Sequence, residues 1–338
     1  MIASAPTKII LFGEHYVVYG APALSLAVDQ KRKIELIEIQ RAKDQIEIKN
    51  PVYGESGVIF PDGTYDGHKY VAMHAAIYKE IYSRCPELEG KSFRAWFKGE
   101  RIFKGMGASS ALGACLALTL YSAAGKKVDL EEIFRCAQIG DEIDHGGRPS
   151  GIDARTVVFG GMIKFRREFN PDRFNFERTE VAFPKGTKML IIDTYRGTRC
   201  NTGDLVKKFA ESHGIHAKPA ELDDMARSKV YAPYLPIYER ALGLLREDAN
   251  PEELGKLMNR NHELLSEHGV STETIEGLRT LLLDNGALGF KITGAGGEGG
   301  ACIALAYEKD TDALRKLILS RGFESIPLNP TNDFARLA

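Results

Sequence analysis

The chain predicts an α+β fold divided into two domains, and three observations carry that prediction. Its 338 residues suffice for two hydrophobic cores. Strand-like and helix-like stretches alternate without the strict rhythm of a barrel. Between Arg166 and Lys188 the chain turns polar and carries Pro171 and Pro184, which marks a boundary and gives domains 1–185 and 186–338.

Lys8–Phe12 reads as a buried strand, followed by strands over Ala23–Val28, Lys33–Ile39 and Gln45–Ile48. Residues 51–66, rich in Gly, Pro and Asp, read as a loop. Val71, Ala75, Tyr78 and Tyr82 mark one face of a helix within residues 67–84. Alternation at Phe93, Ala95 and Phe97 predicts a strand leading into a glycine loop, and the apolar run after that loop predicts a helix ending near Gly125. Asp129-Leu-Glu-Glu132 has the form of a capping box for the next helix. Val157–Phe159 and Met162–Phe165 read as strands. In the second half, strands are expected at 189–193, 290–293 and 301–305. Helices are expected at 203–211, 221–247 with a break near Pro233 and Pro236, 252–267, 272–285 and 310–321, before a last short strand.

Composition narrows the function. A net charge of −1 excludes the concentrated basic face that nucleic acid needs, and the Lys31-Arg32-Lys33 run reads as solvated strand surface. No apolar run approaches membrane-spanning length, and the opening Met1-Ile-Ala-Ser-Ala-Pro is too abrupt for a signal peptide. Five widely spaced cysteines without a Cys-x-x-Cys pair fit a reducing, cytoplasmic setting, with Cys115, Cys136 and Cys302 as small buried hydrophobes.

Four constellations carry chemistry. The first is Lys104-Gly-Met-Gly-Ala-Ser-Ser-Ala-Leu-Gly113, a glycine loop that opens directly into a buried helix. Glycines allow close backbone approach, and the unpaired N–H groups of a helix N-terminus suit phosphate. A tight turn before a core helix would explain the same residues, so the loop gains meaning only from its partners. One partner is Ala5-Pro-Thr-Lys8 with Gly13-Glu-His15, polar groups at both ends of a buried strand. Another is Glu142-Ile-Asp-His-Gly-Gly-Arg-Pro-Ser150-Gly-Ile-Asp153, where one carboxylate can serve a hard cation and another can orient a hydroxyl. The last glycine cluster, Lys291-Ile-Thr-Gly-Ala-Gly-Gly-Glu-Gly-Gly300, holds more glycines than a hairpin needs, which points to close approach of a ligand.

These blocks, in this order, resemble the signature motifs of the GHMP superfamily of small-molecule kinases. Gly13-Glu-His-Tyr-Val-Val-Tyr-Gly20 and Pro149-Ser-Gly-Ile-Asp153, with Glu142 eleven positions upstream, are similar to the mevalonate kinase branch. Asn259-Arg-Asn-His-Glu-Leu-Leu and Gly269-Val-Ser resemble its C-terminal helix and turn, so the likeness spans about residues 4 to 305. The resemblance implies an N-terminal domain like ribosomal protein S5 domain 2 and a ferredoxin-like C-terminal domain. It implies ATP- and Mg²⁺-dependent phosphorylation of the 5-hydroxyl of mevalonate, in isoprenoid synthesis. By the same resemblance Gly105, Met106, Gly107, Ala108, Ser109 and Ser110 wrap the ATP phosphates, and Ser109 with Glu142 holds Mg²⁺. Asp153 and Lys8 are catalytic. Glu14, His15, Thr202, Gly294, Ala295 and Gly296 join them around the acceptor. The implied partners are mevalonate and ATP, without nucleic acid or membrane, and a homodimer is admitted.

Thr7, Arg101, Ala108, Gly146-Gly-Arg148 and Glu298 depart from the family pattern. With Ala108 in place of a serine, the loop is expected to grip phosphate mainly through backbone N–H groups. Two rival readings stay open: a related kinase for another small hydroxylated acceptor, and a silent relative that only binds a metabolite. Intact Lys8, Glu142 and Asp153 argue against the second.

Overall fold

The two longest strands, β1 (Ile2–Phe12) and β2 (Ala23–Ile39), pair antiparallel and form the backbone of the larger sheet. The computed structural model describes residues 1–103, 105–145 and 150–338; Lys104 and residues 146–149, which include the Gly146-Gly-Arg148 departure from the family pattern, lie outside the described residues. The two strands expected at Ala23–Val28 and Lys33–Ile39 are one strand of 17 residues. A register shift at Pro6/Thr7 absorbs the irregularity opposite the basic run that separates them in the sequence. Arg32 of that run is fully buried rather than solvated, and its Nη1 donates to the Glu100 carbonyl at 2.8 Å.

The large sheet continues through β3 (Ile46–Asn50), β4 (Glu55–Ile59), β5 (Tyr65–Gly67), α1 (Val71–Arg84) and β6 (Ser92–Lys98), in the spatial order β5-β4-β3-β6-β2-β1. Residues 51–66 therefore hold β4 and part of β5, not a simple loop. β4 and the edge strand β5 bury little side chain (β5 is wholly exposed), so the sequence lacks the apolar alternation that announces a strand. Helices α2 (Ala108–Ala123), α3 (Leu130–His145) and α4 (Ile152–Phe159) cover one face with α1. α2 is buried on nearly every side and ends at Gly125, where Gly125 N–H bonds Ser122 and Lys126 N–H bonds Tyr121 in a Schellman pattern. Asp129 accepts from the Glu132 N–H at 2.9 Å, as the capping motif predicts.

Two expectations fail next. Val157–Phe159 is the end of α4, not a strand: a short apolar run fits either state, and here it is buried against α2, α3 and β1. The polar stretch from Arg166 is not a bare linker. β7 (Met162–Phe169) and β8 (Asp172–Thr179) form a hairpin on β2, with Phe174 and Phe176 on Phe165 and the charged residues between them outward.

The chain crosses to a second sheet between Thr179 and Thr187. That sheet comprises β9 (Thr187–Asp193), β10 (Gly289–Thr293), β11 (Ala301–Tyr307) and β12 (Glu324–Leu328), in the order β10-β11-β9-β12. Its helices are α5 (Thr202–Ser212), α6 (Asp224–Tyr231), α7 (Leu235–Leu244), α8 (Pro251–Glu267), α9 (Glu273–Asp284) and α10 (Thr311–Ser320). The break expected at Pro233 and Pro236 separates α6 from α7. A final strand, β13 (Arg336–Leu337), returns to the first sheet beside β1. One core runs from Ile9, Leu11 and Phe12 into Leu190, Ile192 and Phe290, so apolar packing joins the two sheets. Among the described residues no helix is long and apolar enough to cross a membrane. Cys85, Cys115, Cys136 and Cys302 are buried free thiols, and Cys200 is exposed.

Candidate active site

β1 and β10 meet at the junction of the two sheets, and the predicted residues gather around that meeting. Lys8 leaves the middle of β1, with its side chain 3% exposed. Its ammonium lies 2.9 Å from Asp153 Oδ1, in the first turn of α4, and donates to the Gly105 carbonyl at 3.0 Å. The Lys8 N–H also donates to the Met106 carbonyl at 2.9 Å. A single lysine thus ties the glycine loop to the aspartate.

Gly107 caps α2 with a φ of +69°, and no side chain caps that N-terminus. A Cβ there would sit 3.0 Å from Lys8 Cγ and in a left-handed backbone region, so only glycine allows Lys8 to lie across the loop. Ser109 is half-buried. Ser110 is fully buried, and its hydroxyl donates to Asp141 Oδ2 at 2.5 Å. That bond joins the start of α2 to the end of α3. Ser109, half-buried, and Glu142, exposed, are the sequence neighbours of its two partners.

Glu14 and His15 close the far end of β1. Glu14 pairs with Lys291 of β10 in a contact buried from solvent on both sides. Burial pushes the Glu14 carboxyl up and the Lys291 ammonium down, each opposed by the partner's charge. Glu14 Oε2 has no partner among the described residues. His15 has a φ of +63°, the one positive value among described non-glycine residues, a strained geometry of the kind found at functional sites. Its ring stacks on Phe209 of α5 with centroids 5.1 Å apart. His15 Nε2 lies 2.8 Å from the Ala295 carbonyl, which can only accept, so Nε2 carries the hydrogen. Burial pushes the ring's pKa down to about 4 and keeps it neutral, leaving Nδ1 as a bare acceptor without a partner among the described residues. Such an atom suits a hydroxyl donor.

The last glycine cluster behaves differently from its sequence reading. A Cβ at Gly296 would meet the Val270 carbonyl at 2.5 Å, at Gly297 the Leu205 side chain at 2.8 Å, and at Gly299 the Thr198 carbonyl at 2.5 Å. The protein's own atoms occupy the space that these glycines vacate. Gly294 alone of the cluster's left-handed glycines has open space around it, beside Ala295 and the site. Thr202 opens α5 and is exposed, capped by Asn201, whose side chain accepts from the Gly203 N–H.

Sequence reasoning missed Lys291, Thr293, Asp141 and Phe209. Thr293 Oγ1 donates to the Ile10 carbonyl at 2.9 Å and accepts from the Ile10 N–H at 3.1 Å, bolting β10 to β1. A lysine inside the short buried strand Gly289-Phe-Lys-Ile-Thr293 was the available signal, because a buried cation requires a counter-charge.

Two family models match parts of the chain. The description "GHMP kinases N terminal domain" matches residues 75–161, and "GHMP kinases C terminal" matches residues 241–321. A mevalonate kinase of Archaeoglobus fulgidus is 34% identical over 306 residues, covering 90% of this chain and 91% of the relative. The chain belongs to the mevalonate kinase family. A second member, from Pyrococcus furiosus, is 30% identical over 340 residues, covering 95% and 94%. The crystal structure of the Methanococcus jannaschii mevalonate kinase superposes with a TM-score of 0.79 at 24% identity, covering 98% of both chains, and shares the fold of this family member.

The buried histidines make stability depend on acid. Burial pushes His15, His74 and His262 each down to about 4, whereas the ordinary value is 6.5. Between those values the unfolded chain binds more protons than the folded one, so stability falls as the pH drops through that window and is level above it. We expect the contribution of these three groups to the melting temperature to be flat from pH 8 to 7 and to fall steadily from about 6.5 to 4. At roughly 1.4 kcal/mol per pKa unit the loss amounts to several kcal/mol. Equal melting temperatures at pH 7 and pH 4.5 would contradict this.

Proposed function

We propose that this chain transfers the γ-phosphoryl group of ATP to the 5-hydroxyl of mevalonate, giving 5-phosphomevalonate and ADP for isoprenoid synthesis. The observation that carries the reading is the contact of Lys8 with both Asp153 and the Gly105 carbonyl, which joins acceptor chemistry to the phosphate loop within hydrogen-bond distance. The names of the curated relatives supply the acceptor.

In this reading the loop from Gly105 to Ser110 holds the triphosphate with backbone N–H groups at the uncapped start of α2. The Ser110 hydroxyl already serves Asp141, so its share is the backbone. Asp153 orients the hydroxyl and receives its proton while the oxygen attacks the γ-phosphorus and the bond to the β–γ bridging oxygen breaks. Lys8 faces the charge that develops between them. His15 Nδ1 accepts from a second hydroxyl of the acceptor, and Glu14, Thr202, Gly294, Ala295 and Gly296 complete the pocket. Residues 1–185 supply the phosphate loop and the aspartate, and 186–338 supply the remaining wall.

A magnesium ion needs one or two protein oxygens besides phosphate, and the half-buried Ser109 with the exposed Glu142 fits that chemistry. When bound there, magnesium supplies neutralisation of the phosphate charge.

ADP release should be followed with mevalonate, phosphomevalonates, galactose and homoserine as separate acceptors. The expected result is turnover with mevalonate. Turnover with another acceptor and none with mevalonate would replace the substrate, and ATP binding without any turnover would favour a silent binder.

A further inference from the structure

The residue that lies two positions after the proposed catalytic aspartate sits in an unusual environment. Arg155 leaves α4 on the side away from Lys8, and its guanidinium carbon lies 4.1 Å from the ring centre of Phe134, 4.5 Å from that of Phe176 and 4.6 Å from that of Phe159. The rings come from three elements: α3, the β7–β8 hairpin and the end of α4 itself. Arg155 also pairs with Glu131 near the start of α3, while its Nε is buried without a hydrogen-bond partner among the described residues. A desolvated guanidinium held by ring faces is a strong and directional contact. Phe134 touches the α4 N-terminus too, since a Cβ at Gly151 would lie 3.5 Å from its ring.

We propose that Arg155 is a positioning residue that fixes α4, and through it Asp153, against the phosphate loop. This rests on the reading of Asp153 as the group that orients the acceptor hydroxyl. α4 has only eight residues, so hydrogen bonds within the helix constrain its rotation weakly. Lys8 holds Asp153 on one side, and the aromatic box holds Arg155 on the other. The box also ties the same helix to α3, which carries Glu142. A misplacement of about 1 Å at a reacting group costs on the order of a hundredfold in rate.

The test compares Arg155→Met, Arg155→Lys and Glu131→Gln in the full chain. Methionine fills the box without a charge, lysine retains a cation for the rings, and Glu131 is an exposed outer partner. Expected for Arg155→Met is a fall in kcat of about ten- to a hundredfold, with KM for ATP and acceptor within about threefold of wild type. Expected for Arg155→Lys is recovery to within about tenfold, and for Glu131→Gln little change, because exposed ion pairs contribute little. Wild-type kcat in Arg155→Met would overturn the proposal, as would a loss that only tracks a lowered melting temperature. Amide hydrogen exchange over residues 150–156 reads the same fixation without any acceptor, and faster exchange confined to that segment is expected in Arg155→Met. If wild type shows no turnover with mevalonate, the acceptor assignment fails. Unchanged exchange in Arg155→Met then still decides against Arg155.

Discussion

Replacing Asp153 with asparagine is expected to lower kcat by roughly 10²–10⁴-fold while leaving ATP affinity nearly unchanged. The size follows from the loss of a proton acceptor at the attacking oxygen. The selectivity follows from geometry. Lys8 donates to the Gly105 carbonyl as well as to Asp153, and its backbone N–H holds Met106, so the phosphate loop keeps its anchor when the carboxylate becomes an amide. Steady-state turnover and a fluorescence titration with a nucleotide analogue measure the two quantities separately. Near-normal turnover would remove Asp153 from catalysis, and a matching loss of nucleotide binding would make it part of the loop's scaffold.

The largest effect on stability is expected from Lys291→Met. The substitution leaves Glu14 buried beside Tyr16 and Tyr234 with its counter-charge gone. Removing one partner of a buried pair typically costs about 3–5 kcal/mol, because the remaining charge is left uncompensated. Glu14 would respond by taking up a proton, since burial already pushes its carboxyl up. A double variant, Glu14→Gln with Lys291→Met, is expected to regain much of the loss, as apolar or neutral replacements of whole buried pairs often do. Urea unfolding of the two singles and the double closes this cycle. A Lys291→Met protein as stable as wild type would show that the pair is dispensable to the fold.

What the sequence made legible follows physical rules. Motif residues in or beside regular elements are readable because their neighbours are regular. β1 announces itself by an apolar run, although that run marks only the half from Lys8 onward and Lys8 lies in the middle of the strand rather than at its start. α2 announces itself by a glycine loop followed by buried helix. Lys8, Glu14, His15 and Asp153 therefore came into view together. Their partners did not. Lys291, Thr293 and Asp141 act through contacts between β1 and β10 or between α2 and α3, and no local pattern encodes a contact across 277 or 283 positions. Strand β4 and the edge strand β5 escaped because they bury too little to leave a period in the sequence. α4 escaped for the opposite reason, since a run buried on every side has no period to show. The β7–β8 hairpin is legible only at Met162–Phe165, because from Arg166 its polar face and Pro171 mask the alternate phenylalanines that anchor it.

The last glycine cluster has a consequence for how ligands enter. Gly296, Gly297 and Gly299 are backed by Val270, Leu205 and Thr198, the strand before them is bolted to β1 through Thr293 and to Glu14 through Lys291, and the Ala295 carbonyl holds His15. Such a wall is a fixed surface rather than a flap that folds over a guest. Recognition on this side is then close to lock-and-key. The ordering entropy is spent once, when the chain folds, and is not charged again to each mevalonate molecule. Heat-capacity changes on acceptor binding should accordingly reflect the ligand's own buried surface, without the larger signature of coupled folding.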